Sequence, residues 1–323
     1  MPPRFLVAPD SFKGTFGAAE VAGAIAAGLE SAGARADRCP VADGGEGPME
    51  VLLGALGGET REVEVHDPLR RPVLARFGLL ADGRTAVVET ARASGLGLVA
   101  PEERDPEAAD TFGSGELIAA AIAAGATRVL VAVGGSATTD GGRGALEALR
   151  QAGGPAGATL EVLCDADVAY EDAAAVFAPQ KGADAAAVGR LARRLEDFAA
   201  ELPRDPRGVR WSGCAGGLSG GLWAGGAALR SGADHVLGAI GFDARLAAAD
   251  AAVSGEGRFD SQSLAGKIVG TIASRCETAG RPLHLVVGEA DLRGAPPAAI
   301  ASVSRAGSLE EMRQVGRDLA PKR

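Results

Sequence analysis

The chain has 323 residues, of which 46% are apolar and 23% charged, and this composition is typical of a soluble globular protein. Its length exceeds what one hydrophobic core usually supports, which predicts two domains. The net charge of −9 and the 4% share of aromatic residues argue against nucleic acid or an anionic membrane as a partner.

Short apolar segments alternate with alanine-rich helical segments, which predicts an α/β fold with parallel strands. The first predicted strand lies at 5–8, and the second ends at 40–42. The further predicted strands lie at 62–65, 73–80, 85–89, 128–133, 160–164, 251–254, 283–287 and 300–303. The predicted helices lie at 18–31, 49–56, 116–124, 143–152 and 185–202. No helical pattern separates the three strands between 62 and 89, so we expect an antiparallel patch there.

This pattern predicts two α/β domains. Residues 1–60 and 240–323 are expected to form a Rossmann-like domain with a parallel sheet, and residues 61–239 a second domain with a mixed sheet. No run of eighteen apolar residues and no signal peptide is recognisable, so we expect a cytoplasmic protein. The isolated cysteines predict reduced, mostly buried thiols; they are Cys39, Cys164, Cys214 and Cys276.

Four loops that follow predicted strands combine glycine with acidic residues or lysine, at 7–14, 41–47, 133–142 and 254–260. In open α/β sheets, ligands bind at the carboxyl ends of the strands. Glycine-rich loops that enter helices expose N–H groups suited to phosphate, and their carboxylates suit Mg²⁺. Together these loops predict phosphoryl transfer, although any one of them alone is weak evidence, since acidic glycine loops are often just tight turns.

Lysine is rare, with four among the 33 basic residues, and the three internal lysines each adjoin a glycine. These are Lys13, Lys181 and Lys267. A lysine beside such a loop can neutralise the charge of a transferred phosphoryl group. The standard nucleotide motifs are missing, because the sequence contains no G-x-x-x-x-G-K-[ST] and no G-x-G-x-x-G after the first strand.

The order of these loops resembles that of the bacterial glycerate kinase family, the type-1 glycerate 2-kinases. The matching stretches are APDSFKG at 8–14, PVADGGEG at 40–47, ASGL at 93–96, FGSGELI at 112–118, GGSATTDGG at 134–142, FAPQKGA at 177–183, AGGL at 215–218 and SGEGRFDSQS at 254–263. The resemblance implies ATP-dependent phosphorylation of D-glycerate at the 2-hydroxyl, with Mg²⁺. It also implies two α/β domains with the active site in the cleft between them.

The chain departs from the family pattern at a few positions. Thr139 stands where the family usually has Asn, and the family segment D-V-D-N-P-L is replaced by DADVAY at 165–170. Ser212 and Cys214 lie where the family carries a Gly/Ala-rich run, and the connection 151–158 is shorter than usual. These changes keep every lysine and every motif carboxylate, but they leave the identity of the substrate open.

Roles can be assigned to the loop residues on the requirements of phosphoryl transfer. We expect Gly134, Gly135 and Ser136 to cradle phosphate, and Asp43 and Glu46 to bind Mg²⁺. The catalytic candidates are Lys13 for charge neutralisation and Asp140 or Asp260 as the general base. The further candidates for substrate or nucleotide binding are Asp10, Ser11, Lys181, Glu256 and Lys267.

Each role has a structural alternative. Asp140 can simply cap the helix that follows it, Lys181 can be a surface charge, and Glu256 can anchor a turn. Arginines can also grip a substrate carboxylate, although exposed arginine is the commoner outcome; the candidates are Arg70, Arg71 and Arg92. For the whole protein, the alternatives are an inactive sensor of nucleotide or hydroxy acid and a kinase of another small hydroxy acid, either as a monomer or a homodimer.

Overall fold

The structure is a computed structural model that describes residues 2–12, 14–260, 263, 267–291 and 297–321. Its strands are β1 (Arg4–Val7), β2 (Arg35–Arg38), β3 (Gly58–His66), β4 (Pro72–Leu80), β5 (Thr85–Glu89), β6 (Arg128–Ala132), β7 (Thr159–Cys164), β8 (Ala228–Ser231), β9 (Ala251–Asp260), β10 (Leu283–Asp291) and β11 (Ile300–Arg305). Its helices are α1 (Ala18–Ser31), α2 (Pro48–Leu56), α3 (Ala91–Ser94), α4 (Phe112–Ala123), α5 (Arg143–Gln151), α6 (Ala173–Phe177), α7 (Ala185–Glu201), α8 (Leu218–Ala224), α9 (Gly232–Ala239), α10 (Phe242–Ala247), α11 (Ile268–Ala279) and α12 (Leu309–Leu319).

The chain divides into two compact units. The first unit is formed by Met1–Asp43 with Ala233–Arg323, and the second by Gly44–Gly232. Residues 44–60 belong to the second unit because α2 packs against β4 and β5. The boundaries predicted from the sequence lie after residues 60 and 239, and the division into independent domains remains a prediction.

The sheet of the first unit is parallel and runs in the order β11-β10-β9-β1-β2. Its direction of winding reverses between β1 and β9, which makes this pair a topological switch point. The predicted helix at 18–31 forms as α1, whose apolar spacing buries Val21, Ile25 and Leu29 completely. The expected parallel α/β sheet is confirmed.

The loop predicted at 254–260 is wrong as a description of the backbone, because β9 continues through it to Asp260. The neighbouring strand β10 runs beside it over the same length, and the pairing ends with Asp260 opposite Asp291. Position 255 requires glycine, because a Cβ there would overlap the carbonyl oxygen of Val286. The second predicted strand also ends earlier than expected, at Arg38, although the N–H of Val41 still donates to the carbonyl of Pro9 at 3.0 Å.

The sheet of the second unit is mixed and runs in the order β3-β4-β5-β6-β7-β8. The strands β3, β4 and β5 pair antiparallel, as the sequence predicted for residues 62–89, and the remaining pairs are parallel. All five residues of β5 are buried, which is typical of a central strand covered on both faces. The expected mixed α/β sheet is confirmed.

Candidate active site

A cavity of about 520 Å³ lies in the first unit, where the carboxyl ends of β1 and β9 meet. Open α/β sheets bind their ligands in the crevice at such a switch point. Six residues proposed from the sequence line this cavity: Asp10, Ser11, Asp43, Glu256, Asp260 and Lys267. Residues from separate loops are thus brought to one place because parallel strands end at the same edge of a sheet.

Backbone pairing fixes the first part of this cavity. The N–H of Asp10 donates to the carbonyl of Gly255 at 2.9 Å, and the hydroxyl of Ser254 donates to the carbonyl of Ala8 at 2.8 Å. The carboxylate of Asp10 in turn accepts from the N–H of Ser11 at 2.6 Å. Asp10 and Asp43 are each only 6% exposed, so their carboxylates are held close to the protein interior.

Glu256 is electrostatically distinct from the other carboxylates of the cavity. Burial raises the pKa of its carboxyl to about 7, and the negative charges of Asp43 and Asp260 act in the same direction. Ser263 and Lys267 oppose the shift without cancelling it. Its Oε1 is buried and has no hydrogen-bond partner among the described residues. A carboxylate with these properties can take up a proton near neutral pH.

Lys267 occupies the N-cap position of α11, and the following residue, Ile268, also lines the cavity. The carbonyl of Lys267 accepts bonds from the N–H and the hydroxyl of Thr271, at 3.0 and 3.1 Å. The first amides of a helix carry partial positive charge, so this end of the cavity suits an anion. Asp260, at the end of β9, lies 3.5 Å from the Arg258 guanidinium.

Lys13 lies outside the described residues, as do Ser261 and Gln262 of the SGEGRFDSQS stretch. The role expected for Lys13 therefore stays a prediction. Lys267 is the lysine that the structure places in the cavity.

The side chains of the cavity fit Mg²⁺ only if phosphate oxygens and water supply the rest of its coordination shell. Carboxylate oxygens are the donors this ion prefers, and Asp10 and Asp43 line the cavity. Across the described ranges, however, no cluster of three or more His, Cys, Asp or Glu side chains is arranged to hold a metal. Magnesium commonly takes one or two carboxylates and completes its shell with phosphate oxygens and water. Glu46, the other expected ligand, belongs to the second unit and lines a cavity of about 430 Å³ there.

The glycine loop of the second unit joins β6 to α5 and is anchored by backbone hydrogen bonds. The N–H of Gly134 donates to the carbonyl of Gly44 at 3.0 Å, and the N–H of Ala137 donates to the carbonyl of Ser94 at 2.9 Å. Between these anchors, the N–H groups of Gly135 and Ser136 donate to no acceptor in the part of the chain that the structure describes. These two amides can therefore bind an anion.

Asp140 acts as a structural cap in this loop. Its Oδ2 accepts from the N–H and hydroxyl of Thr111 and from the N–H of Gly144, at 2.9, 2.7 and 3.0 Å. Its Oδ1 accepts from the N–H of Gly142 at 3.0 Å. Both oxygens are thus used to hold the start of α5, which agrees with the capping alternative kept for this residue.

Lys181 is buried, with 3% of its surface exposed, so the alternative of a surface charge is wrong. Its ammonium donates to the hydroxyl of Ser136 at 3.2 Å and to the carbonyl of Thr138 at 2.5 Å. Burial lowers the pKa of the Lys181 amino group to about 7, while the negative charges of Asp140 and Asp165 oppose that shift. The lysine is therefore attached to the glycine loop itself.

Sequence reasoning missed Glu89, which is 1% exposed at the end of β5. Its Oε1 accepts from the N–H groups of Gly47 and Met49 at 2.9 and 3.1 Å, so it binds the N-terminal end of α2 and holds the loop that carries Glu46. Burial raises the pKa of Glu89, and the Arg92 guanidinium, 3.0 Å away, counteracts this. A carboxylate that directly follows three apolar residues of a strand was the available sequence signal.

The three candidate arginines are already paired with carboxylates. Arg92 contacts Glu89 and Glu50, whereas Arg70 and Arg71 contact Asp110 and Asp67, each at 2.6 Å. None of them therefore needs a substrate carboxylate to neutralise its charge.

Two of the departures from the family pattern contact each other. The N–H of Tyr170, in the altered segment 165–170, donates to the hydroxyl of Ser212 at 2.9 Å. Tyr170 is completely buried and packs against Gly217 and Gly220, where a Cβ would lie within 2.8 Å of its ring or closer. The replaced segments thus form one packed region of the second unit.

The described residues include no helix that is long and apolar enough to cross a membrane. The cysteines are free and buried, as expected from the sequence; they are Cys39, Cys164, Cys214 and Cys276.

The comparisons with known proteins agree on one family. The model of the glycerate kinase family matches residues 5–154 and 154–316. A glycerate kinase of Bacillus subtilis (strain 168) is 40% identical over 88% of this chain and 85% of that protein. A glycerate 2-kinase of Escherichia coli (strain K12) is 35% identical, again over 88% of this chain and 85% of that protein.

A solved structure extends the comparison to three dimensions. The crystal structure of a protein assigned as glycerate kinase 2, from Salmonella typhimurium LT2, superimposes with a TM-score of 0.82 at 33% identity. The match covers 99% of this chain and 97% of that one. The resemblance found in the loops is thereby confirmed, and it makes the protein a kinase. This chain belongs to the glycerate kinase family.

Proposed function

We propose that this protein phosphorylates D-glycerate at the 2-hydroxyl, with ATP as the phosphoryl donor, giving 2-phosphoglycerate. The observation that carries the proposal is the cavity of the first unit, which combines several carboxylates with Lys267 at the N-terminus of α11. The names of the relatives support glycerate as the acceptor, and the name of the E. coli relative supports the 2-position.

The acceptor hydroxyl must lose its proton as it attacks the phosphorus. We assign Glu256 as the general base, because its raised pKa lies close to the pH at which a base is most effective. Asp260 remains the second candidate, whereas Asp140 is assigned to the structure of the glycine loop. Ionised Glu256 takes the hydroxyl proton on one of its oxygens, the oxygen of the substrate becomes bonded to the transferred phosphorus, and the bond from that phosphorus to the bridging oxygen of ATP breaks, with ADP as the leaving group.

Negative charge must be balanced while the phosphoryl group moves. Lys267 and the first amides of α11 supply positive charge in the cavity, and Lys13 is proposed to add a second ammonium. Mg²⁺, held by Asp43 and by phosphate oxygens, would neutralise part of the phosphate charge, with Asp10 and Glu46 as further candidate ligands. In the second unit, the amides of Gly135 and Ser136 are proposed to bind nucleotide phosphate.

The proposed location is the cytoplasm. Free, buried thiols are those expected of a protein from a reducing compartment.

An assay of ATP consumption with D-glycerate and a panel of other small hydroxy acids tests the proposal, with ³¹P NMR to locate the new phosphate ester. We expect turnover with D-glycerate and a 2-phosphate product. Turnover with another acid in preference to glycerate would mean that this other acid is the substrate. A 3-phosphate product would mean that the 3-hydroxyl is the acceptor. Nucleotide binding without turnover of any acid would favour the sensor alternative and reject the kinase proposal.

A further inference from the structure

Lys181 reaches the glycine loop from the interior of the second unit. It ends the 3₁₀ turn Pro179–Lys181, and its amino nitrogen lies 5.9 Å from the centre of the Phe177 ring. From there it donates to Ser136 and Thr138, which precede it in sequence by more than forty residues. The contact therefore connects two distant parts of the chain.

No substrate or nucleotide can reach this amino group in the described conformation. The side chain is 3% exposed, and the space next to it, between Leu96, Arg104 and Ala137, measures about 10 Å³. That volume is about the minimum for one water molecule and far below that of a phosphate group. The negative charges of Asp140 and Asp165 favour the charged form of this amine, although burial outweighs them.

The two groups that Lys181 holds lie within the proposed phosphate cradle. Ser136 supplies one of the amides that remain available to an anion, and Thr138 follows it by two residues. The backbone on either side of Ser136 is paired with segment 94–96, because the N–H of Leu96 donates to the carbonyl of Gly135 and the N–H of Ala137 donates to the carbonyl of Ser94. Lys181 adds a side-chain attachment at Ser136 and a backbone attachment at Thr138.

We infer that Lys181 is a positioning residue that fixes the phosphate-binding loop by holding Ser136 and Thr138, and that it does not contact the phosphate. This inference deepens the proposed function and rests on it for the identity of the ligand. Oriented amides stabilise a transferring phosphoryl group only if they are in place before the reaction. Displacement of a catalytic group by roughly 1 Å can cost about 10²-fold in rate.

Three variants test the inference: Lys181→Met, Ser136→Ala and the double variant. Hydrogen–deuterium exchange of peptides spanning 133–142 reports the order of the loop, with peptides from β3 and β4 of the same unit as an internal control for its general unfolding. We expect Lys181→Met to exchange faster in 133–142 while β3 and β4 are unchanged, and to lose about 10²-fold in kcat. Arg193→Met is the matched control, because this exposed arginine on α7 has no hydrogen bond or ion pair within the described residues.

A double-variant comparison separates positioning from a general loss of stability. If Lys181 acts through Ser136, the loss of kcat caused by Lys181→Met should shrink about fivefold when Ser136 is already Ala. Additive losses, or normal exchange at 133–142 accompanied by a raised KM for ATP alone, would overturn the inference in favour of direct ligand contact. Full kcat in Lys181→Met would also overturn it.

Two further outcomes keep the inference distinct from the proposed function. If Lys181→Met does not fold, Ser136→Ala must still show faster exchange at 133–142, since it removes one of the two attachments; unchanged exchange there would overturn the inference. If wild-type protein fails to phosphorylate any acid, the proposed function fails, but the exchange measurement needs no turnover and still decides whether Lys181 orders the loop.

Discussion

The carboxylate of Asp140 accepts hydrogen bonds from both the backbone N–H and the hydroxyl of Thr111, at 2.9 and 2.7 Å. The same carboxylate holds the amides that begin α5, so it connects the glycine loop to the N-terminal end of α4. A carboxylate that already accepts four hydrogen bonds has little capacity left to accept a substrate proton.

Asp140→Asn should therefore affect stability more than chemistry. The amide nitrogen that replaces one oxygen would face N–H donors, and we expect the free energy of unfolding to fall by about 1–3 kcal/mol. We expect kcat to stay within about tenfold of wild type, because general-base removal would cost about 10²–10⁴-fold. Urea denaturation and steady-state kinetics measure both quantities.

Asp197→Asn is the control for this substitution, because Asp197 is exposed on α7 and the change should alter stability by no more than about 0.5 kcal/mol. An Asp140→Asn protein with wild-type stability and a thousandfold loss of kcat would instead make Asp140 the base.

Glu256→Gln tests the base assignment through the pH dependence of kcat. Because burial raises the pKa of Glu256 to about 7, its ionised fraction, and with it kcat, should increase as the pH rises through about 7. Glutamine cannot accept the proton, so we expect a loss of about 10²–10⁴-fold and the disappearance of this limb of the profile.

Glu289→Gln is the matched control, since Glu289 lines the same cavity but is exposed. Its pH profile should be that of wild type. If Glu256→Gln keeps the wild-type limb at reduced rate, another carboxylate is the base, and Asp260 is the next to be replaced.

The ionisation of Glu256 should make the free energy of unfolding depend on pH. A group whose pKa is raised in the folded state stabilises the fold fully below its unfolded pKa, about 4.5 for Glu, and loses this contribution as the pH rises through about 7. Glu256→Gln should accordingly gain stability relative to wild type above about pH 7.

The candidate site was predictable from sequence wherever it depends on strand ends. Asp10, Ser11 and Asp43 follow the first two strands of the parallel sheet, and Glu256 and Asp260 belong to the strand next to β1. Parallel strands place their carboxyl ends at one edge, so local patterns suffice to group these residues.

Features that depend on distant partners were not predictable in this way. The glycines at 255 and 257 indicate a loop, and only the pairing with β10 extends β9 to Asp260. The burial of Lys181 depends on Ser136 and Thr138, which no local pattern connects to it. The role of Glu89 likewise depends on a distant partner, because its carboxylate accepts from the N–H groups at the start of α2.

The buried amine of Lys181 should make stability depend on pH. Because burial lowers its pKa from 10.5 to about 7, its contribution to stability is fully present above the unfolded pKa and is lost as the pH falls through about 7. Wild type should therefore gain on the order of 3 kcal/mol relative to Lys181→Met between about pH 6.5 and about pH 9.5.

Urea denaturation of both proteins at the two pH values measures this difference, and it requires no activity. Arg193→Met again serves as the control and should follow wild type. A difference between wild type and Lys181→Met that does not change with pH would mean that the Lys181 amine keeps its ordinary pKa.

Gly216→Ala tests how closely the AGGL stretch supports the glycine loop. Gly216 has a φ of 63°, and a Cβ there would overlap the carbonyl oxygen of Thr138 and lie 2.6 Å from the Cα of Thr139. The carbonyl of Gly216 also accepts from the N–H of Gly141 at 3.0 Å. The substitution must therefore displace the backbone that Lys181 and Asp140 hold.

Gly83→Ala is the matched control, since Gly83 has a nearly equal positive φ, of 66°, but a Cβ there would meet nothing within 4 Å. Both variants place alanine in an unfavourable backbone conformation, which should lower the free energy of unfolding by about 1–3 kcal/mol in each. The steric overlap should add about 1–3 kcal/mol for Gly216→Ala alone, together with a loss of kcat that Gly83→Ala does not share. Urea denaturation and kinetics of the pair measure this, and equal losses in both variants would show that the close approach to Thr138 contributes nothing to the loop.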